Sequence, residues 1–164
     1  MQKTIIQLGK IILVGTRAES RTNNILESNP DTALITKTVQ SHFSSNVPTL
    51  INERINQGKN FCVYTEYESD FNGNYTYFIG EEVSSLEDIA PNLSTITIPA
   101  QKYVKFTSAP GKMPEVCINM WMDIWQMTSD DLGGMRSYIA DFEIYDERSH
   151  DPENSVLDIY IGII

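Results

Sequence analysis

The sequence has 164 residues, of which 41% are hydrophobic, and this size suits a single domain spanning residues 1–164 with one core. Acidic residues outnumber basic ones by 22 to 12, and residues 61–164 alone hold 18 acidic and five basic residues. Nucleic-acid binding depends on clustered Lys and Arg, so this composition argues against direct contact with nucleic acid.

The two cysteines, Cys62 and Cys117, lie far apart in apolar segments and form no C-x-x-C pair. This pattern is typical of a reducing compartment and indicates neither a disulfide framework nor a zinc site. The apolar run near the N-terminus is too short for a signal peptide, and no segment is long enough to span a membrane. We therefore expect a cytoplasmic protein without membrane contact.

Hydrophobic periodicity predicts the elements of the first half. Residues 5–14 are expected to form a strand with a break at Gly9-Lys10, and Asn29-Pro30-Asp31 precedes a helix whose apolar face holds Ile35, Val39 and Phe43. Residues 61–68 and 75–83 are expected to form two strands. The loop between them contains Asn72-Gly73, which is a strong hairpin signal.

The second half repeats this order. Residues 95–99 and 101–108 are expected to be extended, and Pro114 suits the first turn of a helix. That helix carries one wide apolar stripe, formed by Cys117, Met120, Trp121, Ile124 and Trp125. Two further strands are predicted at 138–145 and 156–163, on either side of a polar loop.

Paired residues support a duplication. Tyr67 followed by Phe78-Ile79-Gly80 in the first half parallels Tyr145 followed by Tyr160-Ile161-Gly162 in the second. The sequence therefore predicts an α+β fold built from a duplicated β-α-β-β unit, with antiparallel sheets related by pseudo-twofold symmetry. A central ligand cleft is expected where the two halves meet.

Several stretches carry a family resemblance, and in order they begin at Tyr75, Ile98, Ile124, Asp141 and Asp158. They read YTYFIGEEV, IPAQKY, IW, DFEIY and DIYIGI. In order and spacing they resemble the GyrI-like small-molecule-binding domains, which also serve as effector-binding modules of AraC-type and MerR-type bacterial transcription activators. The resemblance runs from Ile12 to the C-terminus. Since strand signals begin at Ile5, we expect a stand-alone form without a helix-turn-helix domain.

The resemblance implies a ligand site in which a central carboxylate lies within an aromatic cage and holds cationic, aromatic or amphipathic compounds. By this match Glu143 is the carboxylate, Trp125 and Tyr160 are cage residues, and Tyr64 is a further one by a looser match. Tyr145 joins the candidates because strand alternation places it on the same face as Glu143.

The residues alone leave other interpretations open. The face of Glu143 could be a solvated acidic surface, at least one of Trp121 and Trp125 could be a core residue, and Tyr160 could hydrogen-bond at a sheet edge. The sequence also departs from the family at Gly162, where the last strand commonly has proline.

We therefore predict binding of a cationic amphipathic small molecule, for sensing or sequestration. Two alternatives stay open: an inhibitor or interaction protein acting on DNA gyrase, and a hydrolase of electrophilic small molecules. No catalytic residue, cofactor or metal site is predicted, since His42 and His150 lack partners at metal-ligand spacing. Monomer and dimer are both compatible with the sequence.

Overall fold

The computed structural model of the protein describes all 164 residues. Its framework is one antiparallel sheet of eight strands in the order β1-β6-β8-β7-β3-β4-β2-β5. The strands are β1 Gln2–Leu8, β2 Ile11–Arg17, β3 Asn60–Thr65, β4 Thr76–Glu82, β5 Ser94–Ile98, β6 Gln101–Thr107, β7 Arg136–Tyr145 and β8 Asp158–Ile163.

Five α-helices accompany the sheet, and none combines the length and apolar character needed to cross a membrane. They are α1 Asn24–Glu27, α2 Ile35–Ser44, α3 Val47–Leu50, α4 Glu115–Trp125 and α5 Ser129–Leu132, with a short 3-10 helix at Glu147–Ser149. The carboxylate of Glu27 accepts hydrogen bonds from the backbone N–H groups of Leu34 and Ile35, so it satisfies donors at the start of α2. Glu27 thereby fixes the entry to the longest helix of the first half.

The strand order is symmetric under exchange of the two halves. If β1, β2, β3 and β4 are exchanged with β5, β6, β7 and β8, the same order is read in reverse. The symmetry point lies between β3 and β7, which pair with each other at the centre of the sheet. The predicted α+β fold with a duplicated β-α-β-β unit is confirmed, and its two antiparallel sheets merge into one.

Each half also has one strand more than the predicted unit. The break at Gly9-Lys10 separates β1 from β2, and these two strands have different partners: β1 pairs with β6 of the other half, whereas β2 pairs with β4 and β5. The residues predicted as one interrupted strand therefore form two strands that bind opposite ends of the sheet. This exchange ties the halves together.

Register assigns the central residues to two faces of the sheet. Glu143 pairs with Cys62 and with Ile159, and α2 and α4 pack on this side, which we call the helix face. Phe142 pairs with Val63 and Tyr160 on the opposite face. The opposite face holds a core of 11 buried residues, against which Ile6 of β1 and Ile96 of β5 also pack. Since β1 and β5 are the two outer strands, the sheet curves around this core.

Candidate functional site

A cavity of about 480 Å³ opens on the helix face, between the starts of α1 and α2 on one side and α4 on the other. It lies over the central strands β3 and β7, where the two halves meet. We call it the aromatic cavity, because six of its lining residues are aromatic: Tyr64, Tyr67, Phe71, Tyr75, Trp121 and Trp125. The other lining residues are Asn24, Glu27, Ser28, Ile35, Cys117, Ile118 and Arg136.

Glu143 lies directly behind the wall of the aromatic cavity, with only 4% of its surface exposed. Oε2 accepts hydrogen bonds from the Tyr64 hydroxyl at 2.6 Å and from Nε1 of Trp121 at 2.7 Å. Oε1 accepts one from the Tyr145 hydroxyl at 2.6 Å. All three donors are uncharged, and no Lys or Arg forms an ion pair with this carboxylate. The cluster therefore solvates a buried acid without supplying a positive charge.

The hydroxyl groups of Tyr64 and Tyr145, which donate to Glu143, stay protonated. Burial raises the pKa of Tyr64 and Tyr145 well above the ordinary value, and the neighbouring carboxylate of Glu143 raises both further. Burial and the same carboxylate also raise the pKa of the Cys117 thiol, which lies 3.3 Å from the Tyr145 hydroxyl. Both tyrosines are thus hydrogen-bond donors throughout the physiological pH range.

The mouth of the aromatic cavity is formed by Phe71 and Trp125. Their rings stack at an interplanar angle of 13° with centroids 6.1 Å apart. Trp125 is 37% exposed, whereas Trp121, one helical turn earlier, is 9% exposed and contacts Tyr64 edge to face at 5.1 Å. Trp125 therefore meets solvent at the rim, and Trp121 forms the inner wall.

A second polar group, centred on Asp141, adjoins the aromatic cavity. This fully buried carboxylate accepts hydrogen bonds from the Tyr67 hydroxyl at 2.6 Å, from Nη2 of Arg136 at 2.5 Å and from the backbone N–H of Gly162 at 2.9 Å. Asp141 is thus paired with a cation, whereas Glu143 is not. Of the four buried acidic residues, Glu81, Asp141 and Asp158 each form an ion pair with an arginine, and only Glu143 has no basic partner.

Four of the five predicted site residues lie together. Glu143, Tyr64 and Tyr145 are linked by hydrogen bonds, and Trp125 stands at the mouth of the same cavity. Glu143 and Tyr145 are positioned behind the lining residues, so they act on the cavity through Tyr64, Trp121 and Cys117.

Tyr160 is the exception, because the structure places it outside the aromatic cavity. It pairs with Phe142 and stacks on that ring at 4.7 Å, so it belongs to the opposite face of the sheet. There it borders a separate cavity of about 210 Å³, with the ammonium of Lys105 5.7 Å from its ring centre. The physical reason is register: Ile159 and Ile161, not Tyr160, share the face of Glu143.

Several residues of the aromatic cavity were not predicted from the sequence. Trp121 is not among the predicted cage residues, although its position four residues before Trp125 places both on one helical face. Tyr67 and Tyr75 flank the hairpin loop of β3 and β4, and their aromatic character on either side of one loop was a usable signal. Nothing in the sequence pattern indicated Arg136 as a cavity residue, because its position depends on a register shift in β7 between Arg136 and Asp141.

No other part of the protein combines an apolar aromatic lining with a buried unpaired carboxylate. A larger groove of about 690 Å³ runs along α1 and α2, but its lining is mostly polar and exposed, with Glu19 paired to Lys37. No group of three or more His, Cys, Asp or Glu side chains is arranged to hold a metal ion. The aromatic cavity is therefore the candidate binding site.

Comparison with known proteins gives matching results for sequence and structure. The profile of the Cass2 family, described as integron-associated effector binding protein, matches residues 4–163. The protein YobU of Bacillus subtilis is 33% identical over 103 residues, which span 62% of this chain and 62% of that protein, less than two thirds of either.

Solved structures extend this likeness over the whole chain. An integron cassette protein from Vibrio cholerae has a TM-score of 0.76 and 26% identity, and the match covers 99% of this chain and 95% of that one. The structure of SAV2435 bound to tetraphenylphosphonium has a TM-score of 0.73 and 16% identity, covering 100% and 94%. The resemblance to effector-binding domains that the sequence motifs indicated is confirmed.

Proposed function

Since the chain belongs to the Cass2 family of integron-associated effector-binding proteins, we propose that it binds a lipophilic organic cation in the aromatic cavity. Such binding would serve to sense or to sequester the compound. One observation carries this proposal: Glu143 is a buried carboxylate with three uncharged hydrogen-bond donors and no basic partner.

Electrostatics favours a cation over a neutral ligand at this position. The hydrogen bonds from Tyr64, Trp121 and Tyr145 lower the cost of burying the carboxylate, but they do not cancel its charge. In a region of low dielectric constant the field of that charge reaches the cavity with little screening. A ligand cation therefore gains attraction from Glu143 through one layer of aromatic side chains, without displacing any of the three donors.

The aromatic wall complements this charge. An organic cation over the face of Trp or Tyr gains roughly 0.5–2 kcal/mol per well-placed ring. Tyr64, Tyr75 and Trp121 pack edge to face around the floor, and Trp125 with Phe71 covers the mouth. The volume of about 480 Å³ falls within the range of about 300–1,000 Å³ that is usual for small-molecule sites. Charge, wall and size thus suit the same class of ligand.

Calorimetry with two ions of equal shape tests the proposal. Tetraphenylphosphonium, the compound bound to the structural neighbour SAV2435, is matched in shape by the anion tetraphenylborate. We expect the wild type to bind the phosphonium with one-to-one stoichiometry and to bind the borate at least about a hundredfold more weakly. Equal affinity for the two ions would contradict the proposal.

Glu143→Gln assigns the effect to one residue. The amide keeps the shape and removes the charge, so phosphonium affinity should fall by about ten- to a hundredfold. The matched control is Glu82→Gln, which changes the net charge equally on the opposite face of the sheet. Its affinity should stay within about twofold of the wild type, because the two sites are separated by the sheet. An unchanged affinity in Glu143→Gln would remove the observation on which the proposal rests.

The two alternatives named from the sequence stay predictions. Hydrolysis of an electrophilic compound would consume the ligand, so heat would continue to be released after one equivalent has been added. Inhibition of DNA gyrase would appear as loss of supercoiling in a purified assay. Both measurements use the same protein and separate these functions from stoichiometric binding.

A further inference from the structure

Arg136 and Asp141 form an ion pair that a regular strand could not make. Both lie in β7, five residues apart, which in a regular strand means a separation of about 17 Å and opposite faces of the sheet. Here Nη2 of Arg136 is 2.5 Å from Oδ2 of Asp141. The register explains the contact: Arg136 pairs with Ile163 and Asp141 with Ile161, so a bulge in β7 spans the four residues between them.

This bulge is held by specific contacts. Tyr138 adopts a left-handed backbone conformation with φ 51°, which is uncommon for a bulky residue, and its ring lies 4.4 Å from the guanidinium carbon of Arg136. The N–H of Gly162, opposite the bulge, donates to Asp141. Bulges often redirect a side chain towards a functional site, and this one directs Arg136 to the aromatic cavity.

Arg136 reaches the aromatic cavity with most of its donors unused. A guanidinium carries five N–H groups in a planar fork, and the ion pair with Asp141 is the one hydrogen bond that this side chain makes within the protein. The side chain is 9% exposed and lines the cavity. Its Nε is buried without any partner, whereas Nη1, which also makes no hydrogen bond within the protein, has accessible surface and is the donor that a bound group can reach. A charged donor in such a site is stabilised when a bound group accepts from it.

We infer that the ligand carries an uncharged hydrogen-bond acceptor, such as a ketone or amide oxygen, which is bound by Arg136 while its cationic apolar part lies against the wall in front of Glu143. This inference rests on the proposed function and adds the acceptor to it. The acceptor is uncharged because Asp141 already neutralises Arg136, and the nearby carboxylates of Glu143 and Glu27 repel an anion.

The test compares two phosphonium cations that differ by one oxygen: (4-oxo-4-phenylbutyl)triphenylphosphonium and (4-phenylbutyl)triphenylphosphonium. We expect the wild type to bind the ketone about tenfold more tightly, since one hydrogen bond from a charged donor is gained. If both bind equally and both are weakened by Glu143→Gln, the inference is overturned while the proposed function stands. If neither binds, both fail.

Arg136→Lys identifies the donor. Lysine keeps the charge opposite Asp141 but has a compact ammonium instead of the planar fork, so the preference for the ketone should shrink to within about twofold. The matched control is Arg54→Lys, which makes the same change at the buried ion pair with Glu81, away from the aromatic cavity. This control should keep the wild-type preference. A preference that survives Arg136→Lys would overturn the inference, and if that variant does not fold, the two ligands still decide it on the wild type.

Discussion

The indole N–H of Trp121 donates to Oε2 of Glu143 over 2.7 Å, and this bond connects helix α4 to the central strand β7. It makes Trp121 both a wall of the aromatic cavity and one of three groups that solvate the buried carboxylate. The bond thus couples the stability of the empty protein to the charge that is proposed to attract the ligand.

Trp121→Phe should expose this coupling. The substitution removes one donor from a buried carboxylate, so the free energy of unfolding should fall by about 1–3 kcal/mol from the lost bond, in addition to the cost of the smaller ring. Urea unfolding of both single variants and of Trp121→Phe/Glu143→Gln separates the two costs. The pair should show a coupling energy of about 0.5–3 kcal/mol, and strictly additive effects would contradict the assigned bond.

The duplicated fold could be predicted from the sequence, because the period of the apolar residues changes in the same order in both halves and the tyrosines Tyr67 and Tyr145 repeat. That Glu143 and Tyr145 lie on the same face of the sheet followed from strand alternation alone. The place of Tyr160 did not, since it depends on the register between β7 and β8. The bulge before Asp141 has Tyr138, not glycine, in the left-handed conformation, so no residue marked it.

Tyr160→Phe and Tyr64→Phe give opposite expectations for ligand binding. The Tyr160 ring packs on Phe142 beneath the sheet, so loss of its hydroxyl should leave tetraphenylphosphonium affinity within about twofold. Tyr64 lines the cavity and donates to Glu143, and loss of its hydroxyl removes a donor from the carboxylate beside the ligand. The affinity of the Tyr64→Phe variant for tetraphenylphosphonium should change by about threefold or more, which corresponds to about 0.7 kcal/mol or more in binding free energy. A larger effect at Tyr160 than at Tyr64 would show that the ligand binds on the other face.

His42 makes the stability of the fold depend on pH. It is fully buried, its Nδ1 lies 2.8 Å from the Thr16 hydroxyl, and its Nε2 has no partner. Burial lowers the pKa of His42 from 6.5 to about 4. Between these values the unfolded chain binds a proton that the folded protein does not, so stability decreases as pH falls through this window. The full loss is about 3 kcal/mol.

Urea unfolding at pH 7.5 and pH 4.5 measures this loss. His42→Gln cannot titrate, so its stability should fall less than that of the wild type over the same interval. His150→Gln removes the other histidine, which lies in the exposed loop after β7, and should keep the wild-type decrease. Equal pH dependence of the wild type and His42→Gln would show that His42 is not the residue responsible.

Gly162 should tolerate alanine better than proline. A Cβ at this position would lie 2.6 Å from Oγ of Ser137 and 2.8 Å from the side-chain amide of Gln101, whose ends can move, so Gly162→Ala should cost about 1–2 kcal/mol. Gly162→Pro also removes the N–H that donates to Asp141. Because a buried carboxylate then loses a donor, the free energy of unfolding should fall by a further amount of about 1–3 kcal/mol. Urea unfolding of the two variants measures the difference. Equal losses for alanine and proline would mean that the N–H of Gly162 contributes nothing, and that Asp141 is held by the ion pair with Arg136 and the Tyr67 hydroxyl alone.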